Sequence, residues 1–442
     1  MGASKRPAGR AAATALAVVT VSAVVTALAT TSPAAAHDPD TPEGKAAVRA
    51  FMSDHEPAAR MKPITGAAVP CQDGKAGDYP CQNVDLLSVL PLSSIGGGNG
   101  NDIWGWTDAE TGKEYALMGR TNGTAFVDIS TPTEPKYLGN LPSHGGTSSI
   151  WRDVKVHQDH AFVVADAIRG HGMQVFDLTR LRDVSTPQTF TEDAHYDGFG
   201  PAHNIAINEE TGFAYAVGSD TCDGGPHIVD IREPTGPSDA GCVSEDGYTH
   251  DTQCVVYQGP DEAYQGREIC LNSNEDTLTI VDVTDKANPK QIARKGYDGA
   301  AYTHQGWLTE DHRHFLLDDE LDESRGENKR TKTYIFDLAS LAEPVHKGTY
   351  QAPVTAIDHN QYVTGKLSYQ ANYQAGLRIL DAGDVGSGAL SEVGYFDIYP
   401  DSDQAEFNGA WSVYPYFESG TVIISGIEQG LVVVKPALGG QR

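Results

Sequence analysis

The sequence predicts an all-β protein: a seven-bladed β-propeller of four-stranded blades, with the ring closed by an N-terminal strand. Two recurrences carry this expectation. Seven segments open on an Asx or Gln residue, at Asp102, Asp153, Asn204, Asp251, Gln305, Asn360 and Asn408, in steps of 51, 51, 47, 54, 55 and 48 residues. Downstream of each opener a hydrophobic run closes on Asp: Phe126-Val127-Asp128, Val175-Phe176-Asp177, Ile228-Val229-Asp230, Ile280-Val281-Asp282, Ile335-Phe336-Asp337 and Ile379-Leu380-Asp381. The seventh closer, Val433-Val434-Lys435, lacks the acid. A period near 50 residues with several short strands per unit points to propeller blades rather than solenoid turns. A content of 47 Gly and 24 Pro in 442 residues fits a β chain dense in turns.

The elements follow in order. Residues 1–36 read as a secretory signal: Lys5, Arg6 and Arg10 precede an Ala/Val/Thr/Leu stretch ending Ala34-Ala35-Ala36, which predicts cleavage after Ala36. Residues 37–83 form an N-terminal extension holding Cys71 and Cys81. Within it Pro42-Glu43 begins an Ala-rich stretch that predicts a helix over 42–60. The propeller is expected over 84–442. In each unit strand a follows the opener, strand b comes next (114–119 in the first), strand c runs through the closer, and strand d follows a proline (136–140 in the first). Asp followed by Ile-Ser-Thr-Pro-Thr-Glu-Pro (129–135) is turn chemistry, since Asp caps the turn with its side chain and Pro blocks further pairing. After Lys435 too little chain remains for a fourth strand. The segment Val84-Asp85-Leu86-Leu87-Ser88-Val89-Leu90-Pro91 resembles the other d strands and is expected to complete the last blade.

Charge and cysteines narrow the function. The formal charge of −28 becomes −31 once Lys5, Arg6 and Arg10 are removed, which argues against nucleic acid as a partner. All six cysteines lie in the exported part, as expected of an oxidising compartment. Six cysteines allow 15 pairings. The spacing favours the local ones, Cys71 with Cys81, Cys222 with Cys242 and Cys254 with Cys270. An extracellular monomer is expected, with no membrane span in the mature chain.

The residue before each opener is Asn101, Arg152, His203, His250, His304, His359 and Phe407. Four consecutive blades thus carry His at one repeat position. The first strand of a propeller blade is innermost, so these residues should gather at one mouth of the central channel. The b–c loops return to the same face and are acidic: Asp166, Asp220 with Asp223, Asn274-Glu275-Asp276, Asp318-Asp319-Glu320 and Glu428. Tyr248 and Tyr302 lie just before two of the histidines. The candidate metal ligands are therefore His203, His250, His304 and His359. The candidate ligand-binding residues are Arg152, Asp166, Asp220, Tyr248, Glu275, Tyr302, Asp319 and Glu428. A wide channel cannot bring four imidazoles to one ion, so two or three His with a carboxylate is the expected set. Loop oxygens would favour calcium and imidazoles a transition metal. The plainer reading is that each His hydrogen-bonds a turn of its own repeat.

The closers with their prolines, such as Leu278-Thr279-Ile280-Val281-Asp282-Val283-Thr284 running to Pro289, resemble the LVIVD repeat. The region from about residue 84 to 435 is similar to the bacterial choice-of-anchor B family. Asn272-Ser273-Asn274-Glu275-Asp276, Asp318-Asp319-Glu320-Leu321-Asp322-Glu323 and Ile357-Asp358-His359-Asn360 are its most family-like stretches. The resemblance implies a secreted or surface propeller whose members end in differing anchors. This chain departs from that pattern by ending Gly439-Gly440-Gln441-Arg442 without a sorting motif. The resemblance brings no catalytic residues with it.

The sequence holds no GxSxG elbow, no HExxH and no P-loop, which weakens serine hydrolase, zincin and NTPase readings. Two classes stay open. One is a propeller that binds a small molecule, glycan or protein on its His/acid face. The other is a metal-dependent extracellular enzyme, hydrolase, lyase or oxidase, using the same face.

Overall fold

The computed structural model describes residues 1–2, 55, 61–325 and 329–439. The signal expected over 1–36 lies, but for Met1 and Gly2, outside the described residues, as does the helix expected over 42–60, but for His55.

Seven antiparallel sheets of at least four strands form the ring. Their innermost strands are Gly100–Thr107, Arg152–His157, Asn204–Asn208, Asp251–Val256, Thr303–Leu308, Asn360–Thr364 and Ala410–Tyr414. Each packs on the next, and the last packs on the first, so the ring is closed. Blade 5 runs Thr303–Leu308, His314–Asp319, Lys332–Asp337 and Val345–Gln351 from the channel outwards. In blade 7 the outermost strand after Ala410–Tyr414, Val422–Gly426 and Gly430–Pro436 is the N-terminal Val84–Leu90. Blade 1 gains a further short strand, Gln188–Thr189, which leaves blade 2 to pair in parallel with Lys136–Pro142.

Each part of the repeat has a physical task. Adjacent residues of the closers, such as Phe126 with Val127 and Ile335 with Phe336, are buried together, because both faces of these sheets pack on neighbouring blades. Full burial of each such side chain stabilises the fold by roughly 1.5–3 kcal/mol. The closing acid then caps its own turn. Asp128, Asp177, Asp230, Asp282, Asp337 and Asp381 all accept the backbone N–H two residues on, at 2.7–3.1 Å. The openers stitch blades together: Asp153 accepts the Ile205 amide at 2.7 Å, Asn204 donates to the His250 carbonyl at 2.9 Å and Gln305 to the Gln361 carbonyl at 3.0 Å.

A bulge recurs where strand c meets strand d. The pairing register shifts between Phe126 and Val127, Ile228 and Val229, Ile280 and Val281, Ile335 and Phe336, and Ile379 and Leu380, each time with one outer-strand residue left over. The N-terminal strand repeats this against its closer, where Leu87 is skipped between Leu86↔Val434 and Ser88↔Val433. It therefore matches the other outer strands in register as well as position. Such bulges sharpen the twist of a sheet edge.

Blade 7 corrects one expectation. Its opener is Ser412 rather than Asn408, and the residue before it is Trp411 rather than Phe407. The register skips Trp411 as it skips His304 in blade 5, and His359 bonds the Trp411 carbonyl as His304 bonds that of His359. The cause is the long connection after Ser391–Phe396, which delays the innermost strand to Ala410.

The segment ahead of residue 84 protects sheet edges. Lys75–Ala76 and Tyr79–Gln82 extend blade 6 outwards through Cys81↔Phe396, and Ile64 and Val69 bridge to Val89 and Leu86. The three disulfides are Cys71–Cys81, Cys222–Cys242 and Cys254–Cys270, the last joining directly opposed residues of two strands.

Candidate functional site

At the start of the innermost strands the four histidines form a row along one wall of the channel mouth. Ring centroids are 4.4 Å apart for His203 and His250, 4.0 Å for His250 and His304, and 4.4 Å for His304 and His359. All four are buried. One rule orients three of them. His250 Nδ1 donates to the His304 carbonyl, His304 Nδ1 to the His359 carbonyl, both at 2.9 Å, and His359 Nδ1 to the Trp411 carbonyl at 2.5 Å. His203 instead donates to Asp166 Oδ2 at 3.0 Å. A carbonyl or carboxylate can only accept, so the proton of each ring sits on Nδ1. Nε2 is then the lone-pair nitrogen of each ring. Each imidazole thus pins a neighbouring blade with Nδ1, where the plainer reading expected a bond to a turn of its own repeat.

The acid that meets this row is Glu320, the first residue past strand His314–Asp319. Its Oε2 lies 3.8 Å from His304 Nε2 and its Oε1 3.7 Å from His359 Nε2. These three side chains offer ligand atoms within 4.8 Å of one another, two imidazoles and one carboxylate. Tyr373 donates to Glu320 Oε1 at 2.8 Å. Burial pushes the Glu320 carboxyl up to about 7 against the lowering effect of that phenol, and burial drives the His359 imidazole down to about 3. A neutral imidazole with its Nε2 lone pair exposed to a carboxylate is the form that a metal ion takes.

Above the row lie Tyr248 and Tyr302. Their hydroxyls are buried without a well-formed hydrogen bond, yet near enough to affect one another, and Glu275 and Glu320 act on both. Burial, reinforced by these acids, raises both phenols well above their ordinary value. The Tyr302 ring stands edge-on to His250 at 5.4 Å. Glu275 takes a left-handed backbone, φ 55°, at the tip of its loop.

The other sequence-derived candidates are placed elsewhere. Arg152 is buried between blades 1 and 2, where it donates to the Arg120 carbonyl and to Ser143 and faces His171 Nε2 at 3.3 Å. Burial and the nearby Arg120 lower its guanidinium to about 9. Asp220 is exposed and accepts the Gly200 amide at 2.8 Å. Both Asp319 oxygens are spent on the amides of Ala301 and Tyr302 and the hydroxyl of Tyr297. Glu428 binds Asn408 and the Gly409 amide, with His55 Nδ1 3.5 Å away. Glu320 and Tyr373 are the site residues that the choice of candidates missed. Glu320 is adjacent to the acid chosen, and only the end of the strand at Asp319 separates their directions. Tyr373 sits in a loop without acids and has a left-handed φ of 35°, so no pattern marked it.

Below the openers the channel is a cavity of about 400 Å³ lined in part by Trp104, Trp307, Tyr362, Tyr414 and Tyr416. Its wall carries Lys155, which pairs with both Asp102 and Asp153. The cavity and the histidine row are therefore stacked along one axis, one above the opener level and one below.

No protein-family model matches this chain, and no curated protein matches it in sequence. Solved structures share its fold. The β-propeller domain of Myceliophteria thermophila Cps50 (Swd1) is 14% identical with a TM-score of 0.51, over 77% of this chain and 96% of that one. Kuenenia stuttgartiensis hydrazine synthase is 10% identical with a TM-score of 0.52, over 73% of this chain and 93% of that one. At such identities the likeness is one of fold alone.

Proposed function

We propose that this is a secreted or cell-surface β-propeller, of the kind the LVIVD resemblance implies, that binds a ligand at the His/acid mouth of its channel through a divalent transition metal on His304, His359 and Glu320. The observation that supports this most is the committed Nδ1 of both imidazoles, which leaves their Nε2 atoms facing one carboxylate at 3.7–3.8 Å. Two nitrogens and an oxygen suit zinc, copper, iron or nickel and leave positions open for a ligand's own donor. The three disulfides fit an extracellular setting. Among the described residues no helix is long and apolar enough to cross a membrane.

A second reading, a metal-dependent extracellular enzyme, is favoured by the buried hydroxyls of Tyr248 and Tyr302 beside the row, which offer proton donors that a pure binder does not need. Elemental analysis of untagged protein, followed by ZnCl₂ titration by calorimetry, tests the metal. Glu320→Gln keeps an acceptor for Tyr373 but removes the charge, and should weaken zinc by at least the 10–100-fold that loss of an outer-shell partner costs. Wild-type protein that takes up no transition metal, or a variant that binds zinc as wild type does, would sink the proposal.

A further inference from the structure

We propose that Asp322, Glu323 and Asp358, supported by Asp318, form a buried calcium site where blade 5 meets the start of blade 6, distinct from the histidine site. The exposures of these four side chains are 2%, 0%, 1% and 1%. Asp322, Glu323 and Asp358 offer oxygens within 4.8 Å of one another.

The hydrogen bonding has a consistent pattern. Asp318 Oδ1 accepts from Gln361 at 2.7 Å, while its Oδ2 has no hydrogen bond. Asp322 Oδ2 accepts from Tyr334 and lies 2.7 Å from Lys332 Nζ, while its Oδ1 has no hydrogen bond. Asp358 Oδ2 accepts the Asp319 amide at 3.4 Å, while its Oδ1 has none. Neither Glu323 oxygen meets a protein N–H or hydroxyl donor, its carboxyl lies in hydrogen-bonding range of the Asp322 carboxyl, and Lys332 is 3.9 Å from Oε1. In three of the four, then, one oxygen is anchored by a neighbour and the other is left over, which is how outer partners orient the ligands of a metal.

Charge makes the same demand. Four buried carboxylates are met, among the described residues, by the ion pair of one ammonium, Lys332. Buried carboxylates without partners are strongly unfavourable, and a divalent cation held where Asp322, Glu323 and Asp358 bring oxygens within 4.8 Å of one another supplies the missing charge. An all-oxygen set without imidazole or thiolate selects a hard cation. Calcium fits such a dedicated, water-poor cage of carboxylates better than magnesium, which keeps several of its waters. The site would also tie down the histidine mouth, because Asp358 immediately precedes His359, and Glu320 follows Asp318 and Asp319.

The test uses full-length exported protein. Elemental analysis should find close to one calcium per chain. Exchange into EGTA should lower Tm, and CaCl₂ should restore it by a shift on the order of 5 °C. Glu323→Gln should abolish the calcium response, whereas Glu320→Gln should retain it, which separates this site from the one at the mouth. A wild-type protein whose melting ignores both EGTA and CaCl₂ would overturn the proposal, and so would calcium responsiveness that survives Glu323→Gln. In either case the carboxyls would be satisfied by shared protons instead.

Discussion

Asp108 shows how single residues lock adjacent blades. It is fully buried at the end of the innermost strand of blade 1 and receives Arg182, from the turn after blade 2's third strand, at 2.8 and 2.9 Å. Burial alone would raise its carboxyl, but the Arg182 pair, Thr111 and the Glu110 amide outweigh burial and hold it at about 2. With the folded value below the ordinary 3.8, the pair's stabilisation is complete above about pH 4 and lost as pH falls towards 2. Asp108→Asn should therefore cost about 1–3 kcal/mol at pH 6 in urea unfolding, and the gap from wild type should narrow below pH 4. An unchanged gap at pH 3 would mean that packing, not charge, links the blades here. At this scale the sequence was only partly legible. The capping acids were plain because Asp bonds its own turn two residues on, a local event. Glu320 and Asp319 could not be told apart, because their directions depend on where a strand ends and on Tyr297, 22 residues away.

The elements were more legible than the residues, because six blades repeat a closer with a capped turn and four of them add a histidine pin. The errors fall where a connection departs from the repeat. The delayed strand at Ala410 moved the blade 7 opener to Ser412, whose hydroxyl lacks the Asx signature. The short strand Gln188–Thr189 pairs in parallel with the preceding blade, a long-range choice without a local code. The N-terminal strand was readable by elimination, and the Leu87 bulge now marks it as an outer strand of the repeat. Deleting residues 37–91 should leave Gly430–Pro436 as an open edge and cause aggregation or loss of a cooperative melt. A truncated protein that stays monomeric and melts as before would show that the strand is dispensable.

For the whole molecule, the distribution of cross-links matters more than their number. Cys254–Cys270 and Cys222–Cys242 each lie within one blade, and Cys71–Cys81 closes a hairpin beside blade 6, so none spans the seam of the ring. Closing loops of this size stabilises by roughly 3 kcal/mol each in the chain-entropy account. Reduction should therefore lower Tm but leave the radius of gyration in solution scattering unchanged. Expansion on reduction would show that the seam depends on covalent help.

The same seam governs the order of events when the chain is made. Among the described residues Val84–Leu90 is one of the first strands to be made, and its partner Gly430–Pro436 is the last. The ring therefore cannot close before Gly430–Pro436 has been made, however early its first blades take shape, and the closing pairing joins residues about 350 positions apart. Contacts so distant form slowly, because the intervening chain must be ordered before they are rewarded. Until that pairing forms the ring stays open along one edge, and the unpaired strand there must be kept from pairing with other chains.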